Sequence, residues 1–278
     1  MNNIITPNSE NISDKDAINF YKLISTVTQL ELEPKTDKII LKKPERSSQN
    51  AKKYFVLCDI NKNRRVGIKR CMDNSQYLRR EIIINEAKKI TGFPTYSILS
   101  TKGIILQLES KEKNCIIFEN WENKDLIIMD FGNPNDMKTL KELEPNTIDS
   151  WTFYYEFGRW AAFNFLLGVI DRHSSNFILS FTDGKIHSID NELGPFDSKG
   201  NEAGPRQILV PVKQTIERFF TDTNRGVCIQ NLKQGFVDGW DSIVSKLSQL
   251  TMFNKDEMNL IQKRSVHDSK KVSEIFFN

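Results

Sequence analysis

At 278 residues, 38% of them apolar, the chain can bury a core in one large or two modest folding units, and its 39 basic and 36 acidic residues leave a net charge of only +3. So even a balance lacks the basic stripe of a nucleic-acid binder, and no apolar run approaches the roughly 18 residues of a membrane span, so neither nucleic acid nor stable membrane insertion is expected. Cys58, Cys71, Cys115 and Cys228 are scattered without a C-x-x-C pair, so reduced, partly buried thiols are expected over a disulfide framework or a zinc site; Met1-Asn2-Asn3-Ile4-Ile5-Thr6-Pro7 has no basic start or long apolar run of a secretory signal, and a cytoplasmic protein is expected, with export to a host cell left open.

Residues 1–36 read as an N-terminal extension, with Ser13-Asp14-Lys15-Asp16 capping a helix over 17–24. Three strand-like runs follow at 38–41, 54–58 and 66–69. The polar loop Pro44-Glu45-Arg46-Ser47-Ser48-Gln49-Asn50 joins the first two, and Asn61-Lys62-Asn63 turns between the second and third. The spacing then predicts a helix over 76–90. Leu78, Ile82, Ile83, Ala87 and Ile90 define its apolar arc, with Glu86 near the middle and Glu81 pointing away. A carboxylate on a buried face needs a cation, and Lys69 at the end of the third strand is the candidate.

Runs 103–108 and 115–118 read as a strand pair, and 134–144 as a short helix or lid-like connection. Residues 150–167 predict a buried helix, rich in Trp and Phe, whose role is to hold the next loop rigid. That loop is Gly168-Val169-Ile170-Asp171-Arg172-His173-Ser174-Ser175-Asn176, and it feeds two short apolar runs, 177–179 and 186–189, separated by Thr182-Asp183-Gly184-Lys185. Asp-Gly between strand-like runs signals a tight hairpin. Asp171 and Asn176 enter that hairpin and Asp190 leaves it, so two carboxylates and an amide oxygen converge at its open end. Phosphoryl transfer uses such a set: one carboxylate to take the proton of the attacking hydroxyl, and an amide and a second carboxylate to hold Mg²⁺. Asn176 follows Asp171 by five positions, the Asp-to-Asn interval of the protein-kinase loop H-R-D-x-x-x-x-N. Asp and Asn also serve hairpins as ordinary turn residues.

The order D-R-H-x-x-N followed by Ile189-Asp190-Asn191 resembles the phosphatidylinositol 3/4-kinase superfamily, and within it the HipA-like bacterial kinases and type II phosphatidylinositol 4-kinases. Asn85-Glu86 ahead of Gly92-Phe93-Pro94 is similar to the N-E…GLP segment of HipA-like kinases. Asp190-Asn191-Glu192-Leu193-Gly194-Pro195-Phe196 is similar to the I-D-N-G-L-A-F-P run of the lipid kinases, with Glu192 in place of the glycine. Val66-Gly67-Ile68-Lys69 resembles the V-A-I-K strand of protein kinases. The likeness spans roughly residues 38–196.

The resemblance implies an α+β, two-lobed, protein-kinase-like fold: a β-rich N-lobe with one helix over 37–121 and a mainly helical C-lobe over 122–278. It implies ATP and Mg²⁺ as cofactors. Asp171 would be the base, Asn176 and Asp190 the metal ligands, and Lys69, held by Glu86, would bind the phosphates. Ser47 and Ser48 would line a phosphate loop that lacks glycine. Glu119-Asn120-Trp121 or the later run 126–130 would be the hinge where main-chain groups meet adenine. His173 is expected to bond within the catalytic loop, and Arg172 to contact the loop or a substrate phosphate. His187 reads as packing and His267 as surface. Helices over 207–220, 229–250 and 255–277 complete the second lobe. The expected acceptor is Ser or Thr of a protein. A phosphoinositide is the alternative, and a nucleotide-binding pseudokinase acting as an interaction module is a further one.

Overall fold

Short runs of β-branched and aromatic residues pair wherever the chain can reverse, and the N-terminal part of the protein is built in that way. The computed structural model describes residues 3–5, 21–22, 24–25, 31, 39–42, 55–60, 64–70, 75–95, 98–100, 115–119, 128–130, 150–170, 176–180, 185–188, 191, 194–196, 201–217 and 225–277. Strands β1 (Asn3–Ile5), β2 (Ile39–Lys42), β3 (Phe55–Ile60), β4 (Arg64–Arg70), β5 (Ile98–Ser100) and β6 (Cys115–Glu119) form an antiparallel sheet in the order β1-β2-β3-β4-β6-β5. β3 and β4 pair from Phe55↔Lys69 to Ile60↔Arg64, on either side of the predicted Asn-Lys-Asn turn. The edge strand β1 comes from the segment that reads as an extension. Residues 21–22 and 24–25 are helical with Tyr21 and Ile24 buried, as the apolar spacing there predicts. The predicted strand 103–108, the loop 44–50 and the connection 134–144 lie outside the described residues; the described partner of β6 on that side is β5.

Helix α1 (Ser75–Thr91) ends where Gly92 takes φ 76°, so the chain can turn without a Cβ clash. Gly92 N–H donates to Lys89 O at 3.4 Å and Phe93 N–H to Lys88 O at 2.9 Å, which satisfies two carbonyls the helix end would leave open. Two further carbonyls there accept from neighbouring helices: Thr91 O from the Ser242 hydroxyl at 3.1 Å and Gly92 O from Arg159 Nη2 at 3.4 Å. Two compact units divide the chain, residues 1–82 with 96–124 and residues 83–95 with 125–278, so the division falls inside α1.

The second unit is organised around α2 (Ser150–Leu167). Phe153, Tyr154, Phe157, Trp160, Ala161, Ala162, Phe163, Phe165, Leu166 and Leu167 are all buried, as its composition predicts, while Thr152, Tyr155, Glu156 and Arg159 form a half-buried stripe. Phe93 packs its ring on Trp160 and Phe163, Phe157 on Phe177, and Phe165 stacks on Trp240 at 5.6 Å. A three-stranded antiparallel sheet, β7 (Ile128–Asp130), β8 (Phe177–Ser180) and β9 (Ile186–Ser188), belongs to this unit. The run 126–130, one of the two predicted hinges, thus contributes a strand to the β8 ladder.

Helices α3 (Pro205–Glu217), α4 (Arg225–Val244), α5 (Lys255–Ser265) and α6 (Ser269–Phe277) follow, with a 3-10 turn at Leu247–Gln249. The helix predicted over 255–277 is two helices. Asp268 accepts from Lys270 N–H at 3.0 Å and Lys271 N–H at 3.3 Å, acting as an N-cap that starts a new helix. Upstream, Asn254 and Glu257 form a capping box that sets the start of α5. The chain is therefore α+β, with most of its described helix in the second unit. No helix among the described residues is long and apolar enough to cross a membrane.

Candidate functional site

The hairpin predicted from Asp-Gly is present. β8 and β9 pair as Phe177↔Ser188, Ile178↔His187 and Leu179↔Ile186. Asn176 immediately precedes the last of these pairs at the open end and is buried. Asp190 stands two positions beyond Ser188 in sequence and Asp171 five before Asn176; both lie outside the described residues, as do Arg172 and His173.

Three polar contacts fix β9 from behind. Trp160 Nε1 donates to Ile186 O at 2.7 Å. Lys88, fully buried near the end of α1, donates from Nζ to Ser188 O at 2.6 Å, with its ammonium 5.3 Å from the Trp160 ring centroid. The Ser188 hydroxyl donates to Asn191 Oδ1 at 3.3 Å, and both residues are buried. His187, between the two anchored carbonyls, is half-buried, consistent with packing. β9 is thus bonded to Lys88 of α1 at its exit and to Trp160 of α2 at Ile186.

The approach to Asp171 is fixed by a second set. α2 ends as α1 does: Gly168 takes φ 65°, its N–H donates to Phe165 O at 3.4 Å, and Val169 N–H donates to Asn164 O at 2.9 Å. The buried Arg264 of α5 donates to Phe165 O, and also to Ala203 O at 2.9 Å and Glu202 Oε1 at 3.2 Å. Ala203 N–H in turn donates to Pro195 O at 2.6 Å, and Phe196 bridges to Glu202. One guanidinium therefore ties the helix end leading to Asp171 to the segment that follows Asp190. Burial pulls the Arg264 pKa down, opposed by the hydrogen bond and charge of Glu202. Burial works to raise the Glu202 carboxyl, but hydrogen bonds from Lys263 and Arg264 more than offset it and hold the group below its ordinary value.

The remaining candidates divide between the units. Lys69 lies on β4, paired with Phe55 and Ile116, and Glu119 ends β6 opposite Val66, so the two sit on adjacent strands about three residues apart, roughly 10 Å. Ser47 and Ser48 lie outside the described residues. Glu86 corrects the reading of α1: its side chain is 45% exposed and pairs with Lys89 at 2.7 Å, whereas Glu81 is 0% exposed. The buried residues of this helix are Arg80, Glu81, Ile83, Ile84, Asn85, Ala87, Lys88 and Thr91, so Ile83 and Ala87 of the predicted arc are buried while Leu78, Ile82 and Ile90 are half-buried and polar residues take the remaining inward places. Asn85 Oδ1 accepts from the Thr95 hydroxyl, closing the turn after the helix.

Lys88 and Arg264 were not legible as site supports. The signal for Lys88 is its phase, one turn from Ile84 and next to Ala87; for Arg264 the only signal is its place in a helix that itself needed a correct start. His267 is exposed, as predicted. Asn176 is a described residue with an oxygen suited to Mg²⁺, a hard cation that takes carboxylate and amide oxygens. Among the described residues no group of three His, Cys, Asp or Glu side chains gathers around a common point. No protein-family model matches the chain, and no curated protein matches it.

Proposed function

We propose that the protein is an ATP- and Mg²⁺-dependent kinase of two-lobed, protein-kinase-like fold that transfers the γ-phosphoryl group to a hydroxyl, with Ser or Thr of a protein as acceptor. The observation that carries this reading is the β8–β9 register, which seats buried Asn176 at the open end of the hairpin, where β9 leads within two residues to Asp190. In this reading Asn176 and Asp190 hold Mg²⁺ on the phosphates. Asp171 takes the proton of the acceptor hydroxyl as its oxygen attacks the γ-phosphorus, and the bond to the bridging oxygen breaks to release ADP. Lys69 positions the phosphates, Ser47 and Ser48 donate to them, and Glu119 supplies main-chain groups toward adenine. Glu81, which is buried, suits a partnership with a cation such as Lys69 better than Glu86, whose side chain is 45% exposed. A protein acceptor is favoured over a lipid because the sequence offers no cysteine-rich palmitoylation site or basic amphipathic helix for membrane docking.

The test is incubation with γ-labelled ATP and Mg²⁺, alone, with mixed protein, and with phosphoinositide vesicles. Label on protein Ser or Thr is expected. Label on lipid would move the acceptor, and nucleotide binding without transfer would support the pseudokinase, which the glycine-free loop 44–50 and Glu192 favour. Asp171→Ala and Asp190→Ala should each lower transfer by at least ~100-fold while the chain stays folded. Only Asp190→Ala should weaken Mg²⁺-dependent nucleotide binding. Undiminished labelling by both variants refutes the assignment.

A further inference from the structure

A lysine at zero exposure is costly, because the ammonium loses its hydration and the loss is recovered only through strong local bonds. Lys88 meets that condition with a short, charge-assisted bond of 2.6 Å to the carbonyl of Ser188, one hundred positions away, beside the face of Trp160. A methionine would fill the same volume without the desolvation cost, so packing alone gives no reason for an amine here. The acceptor is a main-chain group in the last pair of the β8–β9 ladder, opposite Phe177, the residue that follows Asn176. The same residue, through its hydroxyl, bonds buried Asn191, the position that follows Asp190. Main chain before Asp190 and side chain after it are therefore both held, the first by Lys88 and the second by Ser188.

We infer that Lys88 is a positioning residue: by fixing the carbonyl of Ser188 it sets the path on which the chain leaves β9, and so the placement of the Asp190 carboxylate relative to Asn176. The inference rests on the reading of Asp190 and Asn176 as Mg²⁺ ligands. It gives the C-terminal turn of α1 a role apart from any partner of Lys69. Groups that orient metal ligands without touching the metal act through affinity for the ion, so the effect belongs on the Mg²⁺ dependence and not on fold stability alone.

The experiment measures thermal stabilisation of the full chain by ADP as Mg²⁺ is varied, for the wild type, Lys88→Met, Ser188→Ala and Asp190→Ala. Lys88→Met should melt cooperatively without ligand and need roughly tenfold more Mg²⁺ for half-maximal stabilisation, and Ser188→Ala should shift the same way by a smaller factor. The ADP concentration needed at saturating Mg²⁺ should change by less than about threefold in both variants, which a general loss of packing would not reproduce. If Lys88→Met does not fold, Ser188→Ala decides on the same scale. Should the folded variants keep the wild-type Mg²⁺ requirement while Asp190→Ala loses stabilisation, the positioning role is wrong and the kinase reading stands. Should the wild type gain nothing from ADP and Mg²⁺, the kinase reading fails and this inference with it.

Discussion

At Gly168 two constraints coincide. Its φ of 65° belongs to the left-handed region, and a Cβ built there would meet the Pro195 side chain and lie 3.2 Å from Arg264 Nη1. Gly168→Ala should therefore cost about 2–4 kcal/mol of unfolding free energy, from backbone strain and overpacking together, read as a lower urea midpoint with unchanged slope. Glu202 gives a second prediction, in pH. Its folded pKa is held below the ordinary carboxylate value, so its stabilising contribution is present above the unfolded pKa of about 4.3 and is lost as pH falls through the folded value. The stability difference between the wild type and Glu202→Gln should be largest at neutral pH and vanish in the acid range below both pKa values. The pair is a third exposed on the glutamate side, so the difference will shrink with salt. A difference independent of pH would mean that Glu202 acts by packing alone.

At the scale of elements, the pairing of α2 with α4 depends on the absence of side chains at three positions. Gly158 faces main-chain atoms of Leu232 and Phe236, Gly235 faces the main chain of Tyr155, and Gly239 would bring a Cβ to 2.8 Å from Arg159 Cα. Because the obstacles are backbone atoms inside helices, neither partner can yield locally. Gly235→Ala should cost about 3 kcal/mol or more, above what helix propensity would return, and calorimetry will show the lowered Tm. Beside this contact the Tyr155 hydroxyl donates to Asp238 Oδ2 at 2.8 Å, and burial together with that carboxylate pushes its pKa up to about 12. The spacing Gly235-x-x-x-Gly239 is visible in the sequence, yet only the position of α2 shows what it serves. The break between α5 and α6 was equally available in Asp268, but a run of helix-forming residues on both sides masks a single internal cap.

At the scale of the whole molecule, the second unit is not contiguous in sequence. It takes residues 83–95 from the middle of the first, and these supply Phe93 to the rings of Trp160 and Phe163 and Lys88 to β9. A fragment of residues 125–278 should therefore lack a cooperative melt, and a peptide of residues 75–95 added in trans should restore one, followed by circular dichroism. A fragment that melts cooperatively without the peptide would show that this segment only decorates the core.

The amino-acid sequence by itself determined where the hairpin turns, where α1 and α2 stop and that α2 is largely buried, because Asp-Gly turns, αL glycines and a dense run of aromatic residues act within a few residues of themselves. It also carried the interval between Asp171, Asn176 and Asp190 from which the kinase reading starts. Only the tertiary structure decided which face of α1 turns inward, so that Glu81 and Lys88 are buried and Glu86 is not. A polar side chain goes inside when a partner waits there, and the partner of Lys88 is a carbonyl on a strand one hundred residues along the chain, which no local periodicity encodes.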